Sequence, residues 1–290
     1  MTKTILITGA SSFLGAHVAQ YLSRYHRVIG QWCSTPLHLE NVESLQWNLL
    51  SSSASLSRKN QDMLKEVDGV VHLAGKIQNT REQTAHQCNR AMMERVIDMG
   101  LPIIYGSSTA VYWSRHIPYV QSRIEDERRL QNSSLPYVIL RPCAPYGPKL
   151  LHHRPKHQES FQTLVNTIRR SPVIPIIGNG RYLRQPVHVH DFAELVRHFV
   201  ENGYTQRAWD VAGGSAHSFA EIIAILQEHL HTRKRSIHIP KRIATFASRF
   251  VANLEPSLIS VIDTDEAFDV TELSKLVAVR GFRDGVKDLV

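Results

Sequence analysis

Thr4-Ile5-Leu6-Ile7-Thr8-Gly9-Ala10-Ser11-Ser12-Phe13-Leu14-Gly15 is the stretch that decides the fold. An apolar run leads into a glycine turn, and beyond the turn Leu14, Val18 and Leu22 recur at helical spacing as a buried stripe. This reads as a strand, a tight turn and a helix whose open N–H groups and positive dipole end can hold a pyrophosphate. Gly9 can take backbone angles closed to other residues, and Gly15 lets the helix lie close on the sheet. Ser12 stands where the usual pattern has its middle glycine, so any strand-turn-helix of an α/β protein could produce the same stretch.

The chain has 290 residues and is 42% hydrophobic, enough to bury a large core as one large domain or as a domain with a smaller partner. No run is apolar enough to span a bilayer, and Met1-Thr2-Lys3 passes straight into a strand without a charged-then-apolar leader. Neither export nor a membrane partner is expected. Cys33, Cys88 and Cys143 show no metal spacing and cannot all pair, which suits a reducing compartment, and the expected location is the cytoplasm. Part of the net charge of +8 sits in His231-Thr232-Arg233-Lys234-Arg235 and Lys241-Arg242. That segment lacks interleaved aromatics or a recognition motif, so it reads as a solvated basic surface, and no nucleic-acid partner is expected. Its functional alternative is attraction of an anionic ligand. His152, His153 and His157 form no recognisable ligand set, and no metal is expected.

Short apolar segments then alternate with helix-compatible ones: Arg27 to Trp32, Leu45-Gln46-Trp47, Gly69 to Ala74, Pro102 to Gly106 and Pro136 to Leu140. This is the pattern of a parallel sheet with crossover helices. Ser236 to Pro240 reads as one further strand, and Leu49 to Ser57 as a loop or an eroded helix entry.

The same segments resemble a known family, the extended short-chain dehydrogenase/reductases, in their nucleotide-sugar epimerase, dehydratase and reductase branch. The resemblance rests on Thr8 to Gly15, His72-Leu73-Ala74-Gly75, Asn89, Ser107-Ser108-Thr109-Ala110-Val111-Tyr112, Tyr119 to Arg123, Leu140-Arg141-Pro142 with Tyr146-Gly147-Pro148, and Gly178 to Asp191. It implies a doubly wound parallel (Rossmann) sheet in residues 1–150, to which 186–212 return, and a smaller interleaved substrate domain from 151–185 and 213–290. The return would use a strand like Pro186 to Val189 and a helix from Asp191 to Glu201. Asp191 before Phe192, Leu195, Val196 and Phe199 reads independently as an N-cap on an amphipathic helix. A homodimer is among the assemblies the resemblance implies.

The resemblance further implies an NAD(P)-dependent oxidoreductase that reduces a keto-sugar or epimerises a nucleotide sugar through a transient ketone. A cofactor-binding protein without turnover is the alternative. Tyr119 takes the place of the proton-transferring tyrosine, Ser108 that of the hydroxyl sharing its oxygen, with Thr109 as fallback. Arg123 stands where the family has lysine. It keeps the charge and can fork onto two ribose hydroxyls, but it cannot hand on a proton. Trp113 replaces a glycine, which together with the short span to Tyr119 implies a remodelled site. Thr8, Gly9, Ser11, Ser12, Phe13, Leu14, Gly15, Trp32, Ser34, Asn48, Leu49, Leu73, Ala74, Gly75, Asn89 and Ser107, together with Tyr119 and Arg123, match positions lining the cofactor. Gln31-Trp32-Cys33-Ser34 offers no carboxylate to repel a 2′-phosphate, which favours NADP over NAD, with Ser34 as a phosphate donor. Arg184 matches an arginine that meets the substrate diphosphate as a forked cation. Gln185-Pro186 replaces the more usual acidic-aromatic pair beside it. Gly178-Asn179-Gly180 reads as a turn.

Overall fold

The computed structural model describes residues 1–76, 84–114, 117–150, 153, 155, 160–248 and 256–289. His152 and His157 lie outside them. The opening segment folds as read, with β1 (Thr4–Thr8) entering α1 (Phe13–Leu22), whose N-cap is Ser12. There follow β2 (Arg27–Trp32), β3 (Val42–Gln46), α2 (Arg58–Lys65), β4 (Gly69–His72), α3 (Ala85–Ile97), β5 (Ile103–Gly106), α4 (Pro118–Gln131) and β6 (Tyr137–Pro142). The second half contributes α5 (Ser160–Arg170), β7 (Val173–Ile177), β8 (Leu183–Arg184), α6 (Val189–Asn202), β9 (Ala208–Val211), β10 (His217–Ser218), α7 (Phe219–His229) and β11 (Arg235–Ile239).

Seven strands form one sheet in the order β3-β2-β1-β4-β5-β6-β9, and every pair is parallel. Parallel strands need crossovers that cover both faces, so the central strands β1, β4 and β5 are buried almost throughout, whereas the edge strand β3 exposes Glu43, Ser44 and Gln46. Alternation divides β1 between two cores. Ile5 and Ile7 pack on the side of α1 and α6 with Val18, Leu22, Phe192, Leu195 and Phe199, while Leu6 packs on the other side with Met93, Val96, Tyr105 and Leu130. Each fully buried aliphatic side chain there contributes about 2 kcal/mol relative to exposure. A third apolar cluster joins Phe161, Val165, Ile174, Ile176, Ile222, Leu226 and Phe282, away from the large sheet. Beside it β11 pairs with β7, and β10 with β8. Leu273 and Val277 cross back to pack in the α1–α6 core.

Two expectations are corrected. Pro186 to Val189 is no strand of the sheet. It makes a single parallel bridge, Tyr146 to His188, and the seventh place beside β6 goes to β9. Pro186 has no N–H to give a ladder, and Val187 and Val189 bond instead to the carbonyls of Cys143 and Tyr146, just past the end of β6. Asp191 does not cap α6. His188 holds the N-cap position, its Nδ1 accepting from the His190 amide, while Asp191 in the first turn accepts from both the backbone and the guanidinium of Arg280. A partner 89 residues away outcompeted the local cap.

The basic segment before β11 is partly structural, since the Lys234 ammonium caps the carbonyls of Arg169 and Ser171. Among the described residues, no helix is long and apolar enough to cross a membrane, and no group of His, Cys, Asp or Glu could hold a metal ion. No disulfide joins Cys33, Cys88 or Cys143 among the described residues.

Candidate active site

Sequence order reverses between β1 and β4, and ligands of open α/β sheets bind where it does, outside the carboxyl ends of the strands. The glycine turn is built at that point. Gly9 has φ +68°, and a Cβ on it would stand 2.7 Å from both the Cα and the amide nitrogen of Ala74. A Cβ on Gly15 would stand 2.2 Å from the Gly9 carbonyl oxygen. The Ser12 hydroxyl accepts from the Gly15 amide at 3.0 Å, which turns the chain into α1 without the missing middle glycine. The amides of Phe13 and Leu14 then open the helix with no acceptor among the described residues, an arrangement that suits an anion. Gln31 fixes the turn from below: its Oε1 accepts from the Gly9 amide at 2.9 Å and its Nε2 donates to the Trp47 carbonyl. The sequence reading noted Gln31 only as lacking charge. Its one signal was a polar residue inside a buried strand.

Around the turn the cofactor-matched residues divide by what they touch. Thr8 Oγ1 lies 2.6 Å from His72 Nδ1 and holds the end of β4, so that Leu73 and Ala74 pass directly over Gly9, while Gly75 faces Arg123. Asn89 is buried and braces Lys76 through backbone N–H and C=O, and Ser122 through its hydroxyl. At the far edge, Asn48 accepts from the Leu50 amide, Trp32 donates to the Ser44 hydroxyl, and Ser34 is exposed. The Leu49 side chain is buried in the second core. Ser107 is drawn inward: its hydroxyl donates to Glu127 at 2.5 Å, and Glu127 is clasped by Arg141.

Tyr119 and Arg123 fall on the first turns of α4, one helical turn apart, as their spacing required. Tyr119 is half-buried. Arg123 is 4% exposed, its guanidinium carbon 5.4 Å from the Tyr119 ring centre and 5.5 Å from that of Tyr105. Its Nη1 donates to the Gly106 carbonyl, its Nη2 fills the space a Cβ on Gly75 would need, and its Nε has no partner among the described residues. Burial opposes the charge, but the neighbouring Tyr105, Tyr119, Asp126 and Glu127 outweigh it and hold the guanidinium protonated. Ser108 is half-buried and caps the turn Thr109–Tyr112 by accepting from the Ala110 amide.

Behind this cation, burial and then the Arg123 charge push the His72 imidazole down to about 3. The unfolded histidine titrates near 6.5, so as pH falls from 6.5 toward 3 the unfolded chain takes up a proton that the folded chain refuses, and stability drops. By pH 5 this residue alone costs about 2 kcal/mol. His17, lowered by burial to about 4, and His188, lowered to about 3, act in the same window. The expected result is that His72→Gln loses less stability than wild type between pH 7 and 5, read from urea midpoints. Parallel losses would show that His72 is protonated in the folded protein.

A second group gathers where β8 meets the turn after β5. Arg184 does not present an open fork. Its Nε pairs with Glu266 at 3.1 Å, its Nη1 donates to the Leu183 and Thr264 carbonyls, and its Nη2 to Ile262 at 2.7 Å. Thr109 donates to the same Glu266 at 2.7 Å, as does the Trp113 indole at 3.3 Å. Glu266 is the residue the sequence reading missed, because it stands 157 residues from Thr109 and no spacing links them.

Residues 5–212 match the model of the NAD dependent epimerase/dehydratase family. A Bacillus subtilis (strain 168) protein described as an uncharacterized UDP-glucose epimerase is 22% identical, over 83% of this chain and 86% of its own. A UDP-glucuronic acid 4-epimerase from Bacillus cereus, solved in complex with NAD, superposes with a TM-score of 0.75 at 18% identity, covering 98% of this chain and 96% of that one. A UDP-N-acetylglucosamine 4-epimerase from Methanobrevibacter ruminantium M1, in complex with UDP-N-acetylmuramic acid, gives a TM-score of 0.74 at 17% identity over 99% and 97% of the two chains. The overall fold is thus shared with these solved structures over 98% and 99% of this chain.

Proposed function

Because the chain belongs to the NAD-dependent epimerase/dehydratase family, we propose that it is an NAD(P)-dependent enzyme that epimerises a nucleotide sugar through a transient ketone. The observation that carries this reading is the tyrosine-cation pair, Tyr119 with Arg123, on the helix beside Gly75 and Gly106. The open amides of Phe13 and Leu14, brought to the mouth of α1 by the tight packing of Gly9 and Gly15, fit a dinucleotide pyrophosphate, held by Thr8, Gly9, Ser11, Ser12, Phe13, Leu14 and Gly15. Leu73, Ala74, Gly75, Asn89 and Ser107 line or brace its nicotinamide half, and Trp32, Ser34, Asn48 and Leu49 border its adenosine half. When bound, the dinucleotide supplies a nicotinamide ring that takes and returns a hydride. Tyr119 accepts the proton of the sugar hydroxyl as that carbon loses its hydride, and gives it back when the ketone is reduced. Ser108 hydrogen-bonds the same oxygen, and the Arg123 guanidinium carbon lies 5.4 Å from the Tyr119 ring centre, a fixed cation beside it. Thr109 and Arg184 belong to the substrate side. A substrate domain of 151–185 and 213–290 around the third apolar cluster, a homodimer and a cytoplasmic location are parts of the same reading.

With Gln31 turned inward onto Gly9 and no carboxylate up to Thr35, nothing there repels a 2′-phosphate. NAD and NADP are therefore expected to bind within about a hundredfold of each other, a difference below roughly 2.7 kcal/mol. Calorimetry with both measures it, and a larger gap would mean that another residue reads the ribose. Turnover is tested by incubating the protein and each dinucleotide with UDP-glucose and UDP-N-acetylglucosamine and separating epimers by chromatography. Epimer formation is expected. A cofactor-binding protein without turnover is the second reading, favoured by Arg123, whose guanidinium is spent partly on Gly106 and cannot relay a proton. Dinucleotide binding with no turnover would select it.

A further inference from the structure

Glu266 is 5% exposed and joins three elements at the substrate side of the site. One oxygen accepts from Thr109 at 2.7 Å and from the Trp113 indole, the other pairs with Arg184 at 3.1 Å, and its amide bonds the Leu183 carbonyl. Its charge also reaches Cys143, just past β6, where burial first and Glu266 second push the thiol up to about 12. A carboxylate is thus built into the carboxyl edge of the sheet, bonded to Thr109, the neighbour of Ser108. Resting on the nucleotide-sugar reading above, we propose that Glu266 makes this protein select neutral sugars and reject those bearing a uronate carboxylate.

Two effects act in the same direction. A uronate would bring a second carboxylate beside a buried pair whose single positive charge already answers Glu266, so the added charge is left uncompensated. The cation that could compensate is already committed, since Arg184 spends its Nε on Glu266 and its Nη groups on the carbonyls of Leu183, Ile262 and Thr264. A neutral hydroxymethyl group meets neither obstacle.

The test compares UDP-glucose, UDP-glucuronic acid and UDP by calorimetry on NAD-saturated protein, so that the shared diphosphate cancels. Wild type is expected to bind UDP-glucose at least about tenfold tighter than UDP-glucuronic acid. Glu266→Gln keeps the shape and the acceptor for Thr109 and Trp113 but loses the charge, and should narrow the ratio to about threefold, chiefly by gaining affinity for UDP-glucuronic acid. An unchanged ratio in Glu266→Gln overturns the assignment, as does a wild type that binds both sugars alike or prefers the uronate. The wild-type ratio decides alone should the variant fail to fold. A wild type that binds none of the three ligands overturns the nucleotide-sugar reading and this inference with it, whereas binding of UDP without sugar discrimination overturns only the inference.

Discussion

Tyr119→Phe is expected to lower turnover by about three orders of magnitude, the upper part of the range for a positioned acid-base group, while NAD affinity stays within about threefold of wild type. The substitution removes one hydroxyl and keeps the ring against which the Arg123 guanidinium lies, its carbon 5.4 Å from the ring centre. Packing and the buried cation are therefore retained, and the change in stability should be under about 1 kcal/mol. That separation makes the variant informative. Loss of rate without loss of cofactor binding or melting temperature assigns the hydroxyl to the chemistry. Initial rates on a UDP-sugar that wild type turns over, paired with calorimetry on NAD, measure both quantities. Turnover surviving in Tyr119→Phe would move the proton-transfer role to another residue.

Gly9→Val is expected to weaken dinucleotide binding by more than about a hundredfold and to lower stability by several kcal/mol. Two costs combine. At φ +68° an L-residue pays for a left-handed backbone, about 1 to 2 kcal/mol, and β-branching makes it worse. The larger cost is steric. The Cβ would stand 2.7 Å from Ala74 backbone atoms, which cannot swing aside as the end of a side chain can. The turn must shift, and with it the mouth of α1. Gly178→Ala separates the two costs, because φ there is +78° yet nothing lies within 4 Å of the added Cβ. It should lose only the conformational part, about 1 kcal/mol, and bind NAD normally. Normal NAD binding by a folded Gly9→Val would overturn the cradle.

Much of the architecture was legible from local pattern. The apolar runs of β1, β4, β5 and β6, the stripe of Val18 and Leu22 on α1, and the helical spacing of Tyr119 and Arg123 all stand where periodicity put them. Backbone geometry and alternation are short-range properties, and a strand buried on both faces announces itself by composition. Local signals failed where a distant residue competed. Asp191 had the chemistry of an N-cap, but Arg280 supplied a stronger, charge-assisted partner. Pro186 to Val189 had a strand's composition and received one bridge, because β9 took the edge of β6.

The site divides along the same line. Gly9, Ser12 and Gly15 could be named from the local pattern of strand, turn and helix, and Tyr119 and Arg123 from the resemblance to the family. Their environment could not. That Gln31 pins the Gly9 amide, that Arg123 is buried between two tyrosine rings, and that Arg184 is neutralised by Glu266 are facts of tertiary pairing. The sequence by itself determined most of the sheet's strands and the glycine turn, since dihedral preference and periodicity act locally. Only the tertiary structure decided which charges are free to meet a ligand, because a buried cation or carboxylate is claimed by whichever opposite group the fold brings within hydrogen-bond reach.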